Sequence, residues 1–383
     1  MSNESFQPAP PALAVNDLAA AYQPRRIWAA VVSISWNLSL AALFLSGGGA
    51  WTLYHRLALF TDQHGLSHRL TAPIYLAILF GGYSLLNYPV DLWFGYLEER
   101  QFGLAKDGVR AWSRDWLVGV TQHGLMFCLG CTALLTLQVR FPHAWLLVLS
   151  FLLLILFLLT SHRSLTLLPR ALFQIEPIGL AHGQRLQELI GPANRLPPIF
   201  IFSAPHLRDF SGGLIGLGNR QAMLLSRSTL TAAGDAVLRF VLLHDLGHKR
   251  YHHLLLATLA GWAWATLGLC VSQMVIGRAS PQSIGHPPYL VWLALIFSLW
   301  MAAGEPLLAY LGRRLEYQAD RFYLRHGGTL TEMRAALEEL SHRNLARTEG
   351  LRRRHTIFHP LPSVWNRLHA AGQFVESLAE RNP

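Results

Sequence analysis

Apolar residues in this 383-residue chain gather into long blocks separated by polar stretches. Six blocks, 27–45, 71–90, 116–139, 144–160, 254–277 and 289–311, reach or approach the roughly 18–20 residues a helix needs to cross a bilayer core. No water is available there to satisfy a broken backbone, so each block predicts an unbroken helix. The fourth is the shortest, and Gln122 and His123 interrupt the third, which suits a tilted or partly re-entrant course. The pattern predicts a polytopic, mainly α-helical membrane protein with about six spans.

The polar stretches carry shorter periods. In 161–253, "GLAHGQRLQELI" has helical spacing, "PPIFIFSA" reads as a strand, and "QAMLLSRS" as a second strand after the glycine-rich "SGGLIGLGN". A long helical pattern beginning near Thr231 and Asp235 then carries "HDLGH" and runs on toward the fifth span. After the sixth span, "GRRLEYQADRFYLRHGG" reads as a helix ending at Gly327 and Gly328. Thr329 and Glu332 form the start signal of another helix, and "SVWNRLHAAGQFVESLAE" predicts a last one. The organisation expected is a disordered tail over 1–24, a four-span membrane domain over 25–160, and a metal-binding domain over 161–383 that includes a two-span hairpin at 254–311. Residues 1–24 are Pro- and Ala-rich and show no signal-peptide core.

Composition agrees with membrane residence: 14% of residues are charged and 52% hydrophobic, with a mean hydropathy of +0.28. The net charge of +10 suits either a nucleic-acid surface or a basic membrane face near anionic lipid. Basic residues concentrate beside the spans, and Arg352, Arg353 and Arg354 read as a solvated or lipid-facing run, so a lipid bilayer is the expected partner and nucleic acid is not. Arg25, Arg26, Arg100, Lys106, Arg110 and Arg114 outnumber Arg56, Arg69, Arg140 and Arg278 on the opposite loops. That bias places both termini, 161–253 and 312–383 in the cytoplasm, and, for a bacterial chain, the spans in the inner membrane. Cys128 and Cys131 lie inside a predicted span without a second ligand pair and read as small packing residues.

Residues four apart on a helix share a face, so His244 and His248 can present two imidazole nitrogens to one ion. A hydrolytic zinc takes about three protein ligands and leaves a position for water. Glu316 is the best third ligand, because the 254–311 hairpin returns its helix to the same membrane face. Asp320, one turn further on, is placed to orient a ligating histidine.

"HDLGH" before a membrane hairpin and "EYQAD" after it resemble the HExxH and ExxxD segments of the CAAX prenyl protease type 1 family of integral-membrane zinc metallopeptidases. "YLEERQFGLAKDGVRAWSRDW", the "GLG" after a strand and "HPLPSVWNRL" extend the likeness over about 95–370. The resemblance implies a helical barrel around an intramembrane chamber, one Zn2+ per chain at its cytoplasmic end, and cleavage of a peptide or protein substrate. It implies His244, His248 and Glu316 as metal ligands, Asp320 behind them, and Asp245 at the position of the general base. His359 and Arg367 match positions that approach the scissile bond, for oxyanion stabilisation or salt bridging. Three departures stand out. A further span near the amino terminus is not evident, Ser211, Gly212 and Gly213 replace an Asn-Ala-aromatic edge strand, and the base is aspartate instead of glutamate.

Aspartate is shorter by one carbon–carbon bond, whereas a general base must come within about 2.6–3.2 Å of its proton's heavy atom, or reach it through one water. Asp245 is thus compatible with a zinc endopeptidase with a compromised base or with a metal-binding pseudoprotease or membrane scaffold. "LLHDLGH" also resembles the His-Asp doublet of HD-type metal phosphohydrolases, in which both residues bind metal; that reading leaves Glu316 without a task.

Overall fold

The computed structural model describes residues 15–103, 108–162, 174–203, 212–343 and 361–380. Its helices are α1 (Val15–Ser46), α2 (Gly49–Gln63), α3 (Thr71–Leu92), α4 (Val109–Arg140), α5 (Trp145–His162), α6 (Leu180–Ile190), α7 (Arg227–Ala232), α8 (Asp235–Arg250), α9 (His253–Ala279), α10 (Pro288–Arg325), α11 (Leu330–Arg343) and α12 (Val364–Ala379). A π-helical turn, Trp93–Leu97, prolongs α3 to Gln101. Strands β1 (Gln174–Pro177), β2 (Ile199–Ser203), β3 (Gly212–Ile215) and β4 (Ala222–Ser226) form one sheet.

Contacts divide the chain into two compact units, 29–161 with 255–308, and 1–28 with 162–254 and 309–383. Among the described residues, five helices are long and apolar enough to cross a membrane: Pro24–Ser46, His68–Gln101, Val109–Arg140, His253–Ala279 and Pro288–Arg325. The sixth expected span, the shortest block in the sequence, is the shorter apolar helix Trp145–Leu159. Helix α2 was not legible in the pattern. Gly48, at φ 66, turns the chain out of α1 and into it, a conformation that costs glycine no Cβ clash.

The first unit buries Tyr75, Leu76, Leu135, Trp145, Ile276, Tyr289 and Leu290 together. Polar contacts join its helices as well: Ser150 Oγ meets Thr266 Oγ1 at 2.8 Å, and the Trp262 indole donates to the Ser150 carbonyl at 2.9 Å. Trp264 and Trp300 stack at 4.5 Å, each ring lying over a glycine of the other hairpin helix, Gly304 and Gly268. Cys128 and Cys131 are free thiols packed at the margin of this core. Asp91 is paired, accepting from the Trp116 indole at 3.0 Å.

The second unit carries the sheet, in the order β1-β2-β4-β3. β2 and β4 pair in parallel, with Ile199 opposite Met223, while β1 and β3 close the two edges antiparallel. The sequence pattern showed only the two inner strands. β1 contains Pro177 and β3 opens with Gly212 and Gly213, residues with poor strand propensity that sheets tolerate at their edges. Leu186, Ile201, Met223, Leu225, Leu238, Leu242, Leu243, Tyr323 and Met333 lie in a shared core around α8.

Two expected boundaries differ. α8 does not run into the fifth span: the chain breaks after Arg250, and His252 adopts φ 53, the one non-glycine positive φ among the described residues. Conversely, the sixth span and the "EYQAD" helix are one helix, α10, through Pro306. The predicted capping box is present, Thr329 N–H donating to Glu332 Oε2 at 3.3 Å and Glu332 N–H to Thr329 Oγ1 at 3.2 Å.

Candidate metal centre

Helix α8 is buried continuously from Phe240 to Gly247, so its polar residues are held by protein and not by solvent. His244 and His248 leave it one turn apart, and Glu316 faces them from α10. The two helices meet at Gly247. A Cβ there would lie 2.9 Å from Ala319 Cα and 3.0 Å from Phe322 Cβ, closer than real Cβ atoms sit. Glycine on one helix and buried alanine on the other bring the backbones near enough for a short carboxylate to reach both imidazoles.

His244 Nε2 lies 3.3 Å from Glu316 Oε2, His248 Nε2 lies 3.4 Å from Glu316 Oε1, and the two Nε2 atoms are 3.1 Å apart. Zinc bonds nitrogen and oxygen donors at about 2.0–2.2 Å in a tetrahedron, whose edges are then roughly 3.3–3.5 Å long. The two nitrogen-to-carboxylate separations, each to its own oxygen of Glu316, have those lengths, and the nitrogen–nitrogen separation of 3.1 Å is slightly shorter. Two imidazoles and one carboxylate are also a hydrolytic zinc donor set, so the residues fit the metal.

Behind His244, Asp320 Oδ1 stands 3.0 Å from Nδ1, and Arg367 grips the same carboxylate with Nε to Oδ2 at 2.8 Å and Nη2 to Oδ1 at 2.5 Å. Arg367 Nη2 is also 3.3 Å from His244 Nδ1. Arg367 Nη2 cannot accept hydrogen and the closer carboxylate can, so Nδ1 directs its proton to Asp320, and Nε2 is the nitrogen left to ligate once the ring is neutral. Burial opposes charge on His244, but the hydrogen bonds to Asp320 and Glu316 outweigh it and lift its pKa to about 9. Phe240 stacks on the same ring, and the Arg367 guanidinium lies over the Phe240 ring, 5.5 Å from its centroid.

Asp245 is buried beside this cluster, and no hydrogen bond or ion pair joins its carboxyl to another described residue. Burial raises its pKa to about 6, against the lowering pull of His244 and His248, with Glu316 adding to the rise. The structure therefore brings together His244, Asp245, His248, Glu316, Asp320 and Arg367. His359 lies outside the described residues. His253, a residue with no role assigned from sequence, is 2% exposed, and its Nδ1 is 2.9 Å from His248 Nδ1. Its other nitrogen is 3.0 Å from Gln318 Oε1, two residues along from Glu316. A histidine just past a pair four apart was the available signal; the backbone break that turns it inward had none.

Residues 194–374, which include every residue of this centre, match Peptidase family M48, whose members are zinc metalloproteases. The fold is similar to that of Ste24p from S. mikatae, at 17% sequence identity and a TM-score of 0.76, covering 96% of this chain and 92% of that one. A search of curated proteins finds no match. The M48 match and the Ste24p-like fold support the resemblance to the CAAX prenyl protease type 1 family and, at that level, a membrane metalloprotease.

Proposed function

We propose that the chain is a zinc-dependent endopeptidase of the membrane, hydrolysing membrane-associated or unfolded peptides at one Zn2+ held by His244, His248 and Glu316 on the cytoplasmic side. The observation that carries this reading is the donor cluster: one ligand atom each from His244, His248 and Glu316, all within 4.8 Å of one another, with the two Nε2 atoms 3.3 and 3.4 Å from the Glu316 carboxylate. A zinc ion there supplies a Lewis acid that acidifies water and polarises the scissile carbonyl. Asp245 is the general base. Among the described residues it is the one carboxyl of the cluster with no hydrogen bond or ion pair, which leaves its oxygens to accept a proton from the attacking water and return it to the leaving amine. Arg367 acts by salt bridging: its guanidinium holds Asp320, and Asp320 holds His244.

An HD-type phosphohydrolase would use Asp245 as a ligand. Glu316, not Asp245, completes the candidate metal cluster, which favours the peptidase. Peptide docking has support in β3, a sheet edge packed beside α8. Gly212 and Gly213 leave it little side chain, so affinity there comes from the backbone ladder of an added strand.

The test is turnover of a membrane-tethered or unfolded peptide by the zinc-loaded protein in detergent or liposomes. Asp245→Ala abolishes it. Asp245→Glu raises it by up to about a hundredfold, the worth of about 1 Å in the placement of a catalytic group. Wild-type kcat/KM falls as acid protonates Asp245, with a midpoint at or below about 6, because a bound dication favours the carboxylate. Equal turnover by wild type and Asp245→Ala would remove Asp245 from the mechanism. Zinc binding without turnover in both wild type and Asp245→Glu would make the chain a pseudoprotease.

A further inference from the structure

We infer that His253 is a positioning residue for the metal site: clamped by Gln318, it accepts a hydrogen bond from the His248 Nδ1–H and so keeps the His248 Nε2 lone pair aimed at the ion. The inference rests on the zinc-site reading above and adds a member to it.

The proton logic runs inward from Gln318. Its Oε1 can only accept, so His253 Nε2, 3.0 Å away, must carry hydrogen. In the neutral ring the Nδ1 of His253 is then bare. His248 Nδ1, 2.9 Å from it, must be the donor, which leaves His248 Nε2 without a proton. That nitrogen is the one facing Glu316 at 3.4 Å and His244 Nε2 at 3.1 Å. The relay therefore selects the ligating tautomer before any ion arrives. An unguided imidazole would spend part of its time in the other tautomer, with a hydrogen pointed at the cation.

The backbone is shaped for this contact. His252 at φ 53 is in a region that a non-glycine residue rarely enters, and it separates α8 from α9 so that His253 opens the new helix with its ring edge-on to His248, centroids 4.8 Å apart at 84°. Had α8 continued unbroken, residue 253, five positions after His248, would have faced away from it. Gln318 comes from the same helix as Glu316 and Asp320, so a single stretch of α10 provides the carboxylate ligand and the support for both histidines.

Zinc affinity of the full chain in detergent, measured by competition with a chromophoric chelator, tests this. His253→Phe keeps bulk but removes the acceptor, and should weaken zinc about 10–100-fold, as loss of an outer hydrogen-bond partner does. His253→Asn places an amide oxygen near the position of the lost Nδ1 and should stay within about threefold of wild type. Gln318→Leu frees the His253 tautomer and should fall between them. Wild-type affinity in His253→Phe, or an Asn variant no better than Phe, overturns the inference, since packing alone would favour Phe. If His253→Phe does not fold, the other two variants decide: Asn near wild type with Gln318→Leu weakened supports the relay, and any other order overturns it. A wild-type protein that binds no zinc sinks the metal site itself, an outcome distinct from a zinc-binding protein indifferent to residue 253.

Discussion

His244 and His248 leave α8 one turn apart toward the same carboxylate, yet the protein behind them is built in different ways. His244 is backed by charge: Asp320, 3% exposed, with Arg367 clasped to it. His248 is backed by a neutral relay, His253 to Gln318. Charged and neutral supports both set a tautomer, so the difference concerns electrostatics. In the proposed site, Glu316 and Asp320 face Arg367, Asp245 lies within electrostatic reach of Glu316, and a divalent ion completes the neutralisation. A carboxylate behind His248 as well would leave a buried excess of negative charge, costly at low dielectric. An amide relay orients the second ligand without adding to the total.

The sharpest separation of the two sides is in stability. Asp320→Ala leaves the Arg367 guanidinium, whose side chain is 14% exposed, with only its longer 3.8 Å contact to Glu316, and loss of one partner of a buried pair costs about 3–5 kcal/mol. Gln318→Leu strands one neutral ring N–H, at about 1–3 kcal/mol. Thermal unfolding of the metal-free variants in detergent should show the larger loss for Asp320→Ala. Equal losses would mean that the charged side carries no more of the fold than the neutral one.

A second change should abolish the comparison by disturbing both sides together. Gly247→Ala puts a Cβ against Ala319 and Phe322, overpacking worth about 1–3 kcal/mol. Relief requires α8 and α10 to part, which moves Glu316, Gln318 and Asp320 away from both histidines at once. Zinc affinity and kcat/KM should drop together, by around a hundredfold if the shift approaches about 1 Å. An unchanged kcat/KM would show that the helices can separate without disturbing the ligands.

The carboxylate side of this site was readable in the chain because its residues obey helical spacing: His244 with His248, and Glu316 with Asp320, are each four apart. The long apolar blocks were readable for the same kind of reason, since a bilayer demands length. What resisted reading depends on backbone geometry. His253 is one residue from a break that no residue type announces, because a histidine at φ 53 has no sequence signature. β3 is a strand only by virtue of its neighbour β4, with two glycines that locally argue against it. Arg367 was placed by resemblance, and its clasp on Asp320, 47 positions away, has no local signal. The continuity of α10 was hidden by a change of face: its apolar first half and amphipathic second half read as two elements.

The last and smallest separation between the two sides is a shift along the pH axis, and it falls on the charged side. Without metal, the His244 pKa stands at about 9 against an ordinary 6.5, burial being outweighed by Asp320 and Glu316. A raised histidine pKa stabilises the fold fully below the ordinary value, and the contribution is lost as pH climbs through the raised one. The melting temperature of the metal-free protein should therefore decline between pH 6.5 and about 9. Zinc binding has the opposite slope, because Nε2 can ligate only after the imidazolium gives up its proton. From pH 7 to about 9 the affinity should rise about tenfold per unit and then level off. Asp320→Asn removes a carboxylate that holds the charge, so the plateau should begin at lower pH. Gln318→Leu leaves that carboxylate in place and should keep the plateau near 9. Should Gln318→Leu displace the plateau as far as Asp320→Asn does, the two supports would be one electrostatic unit, and the division between a charged and a neutral side would be lost.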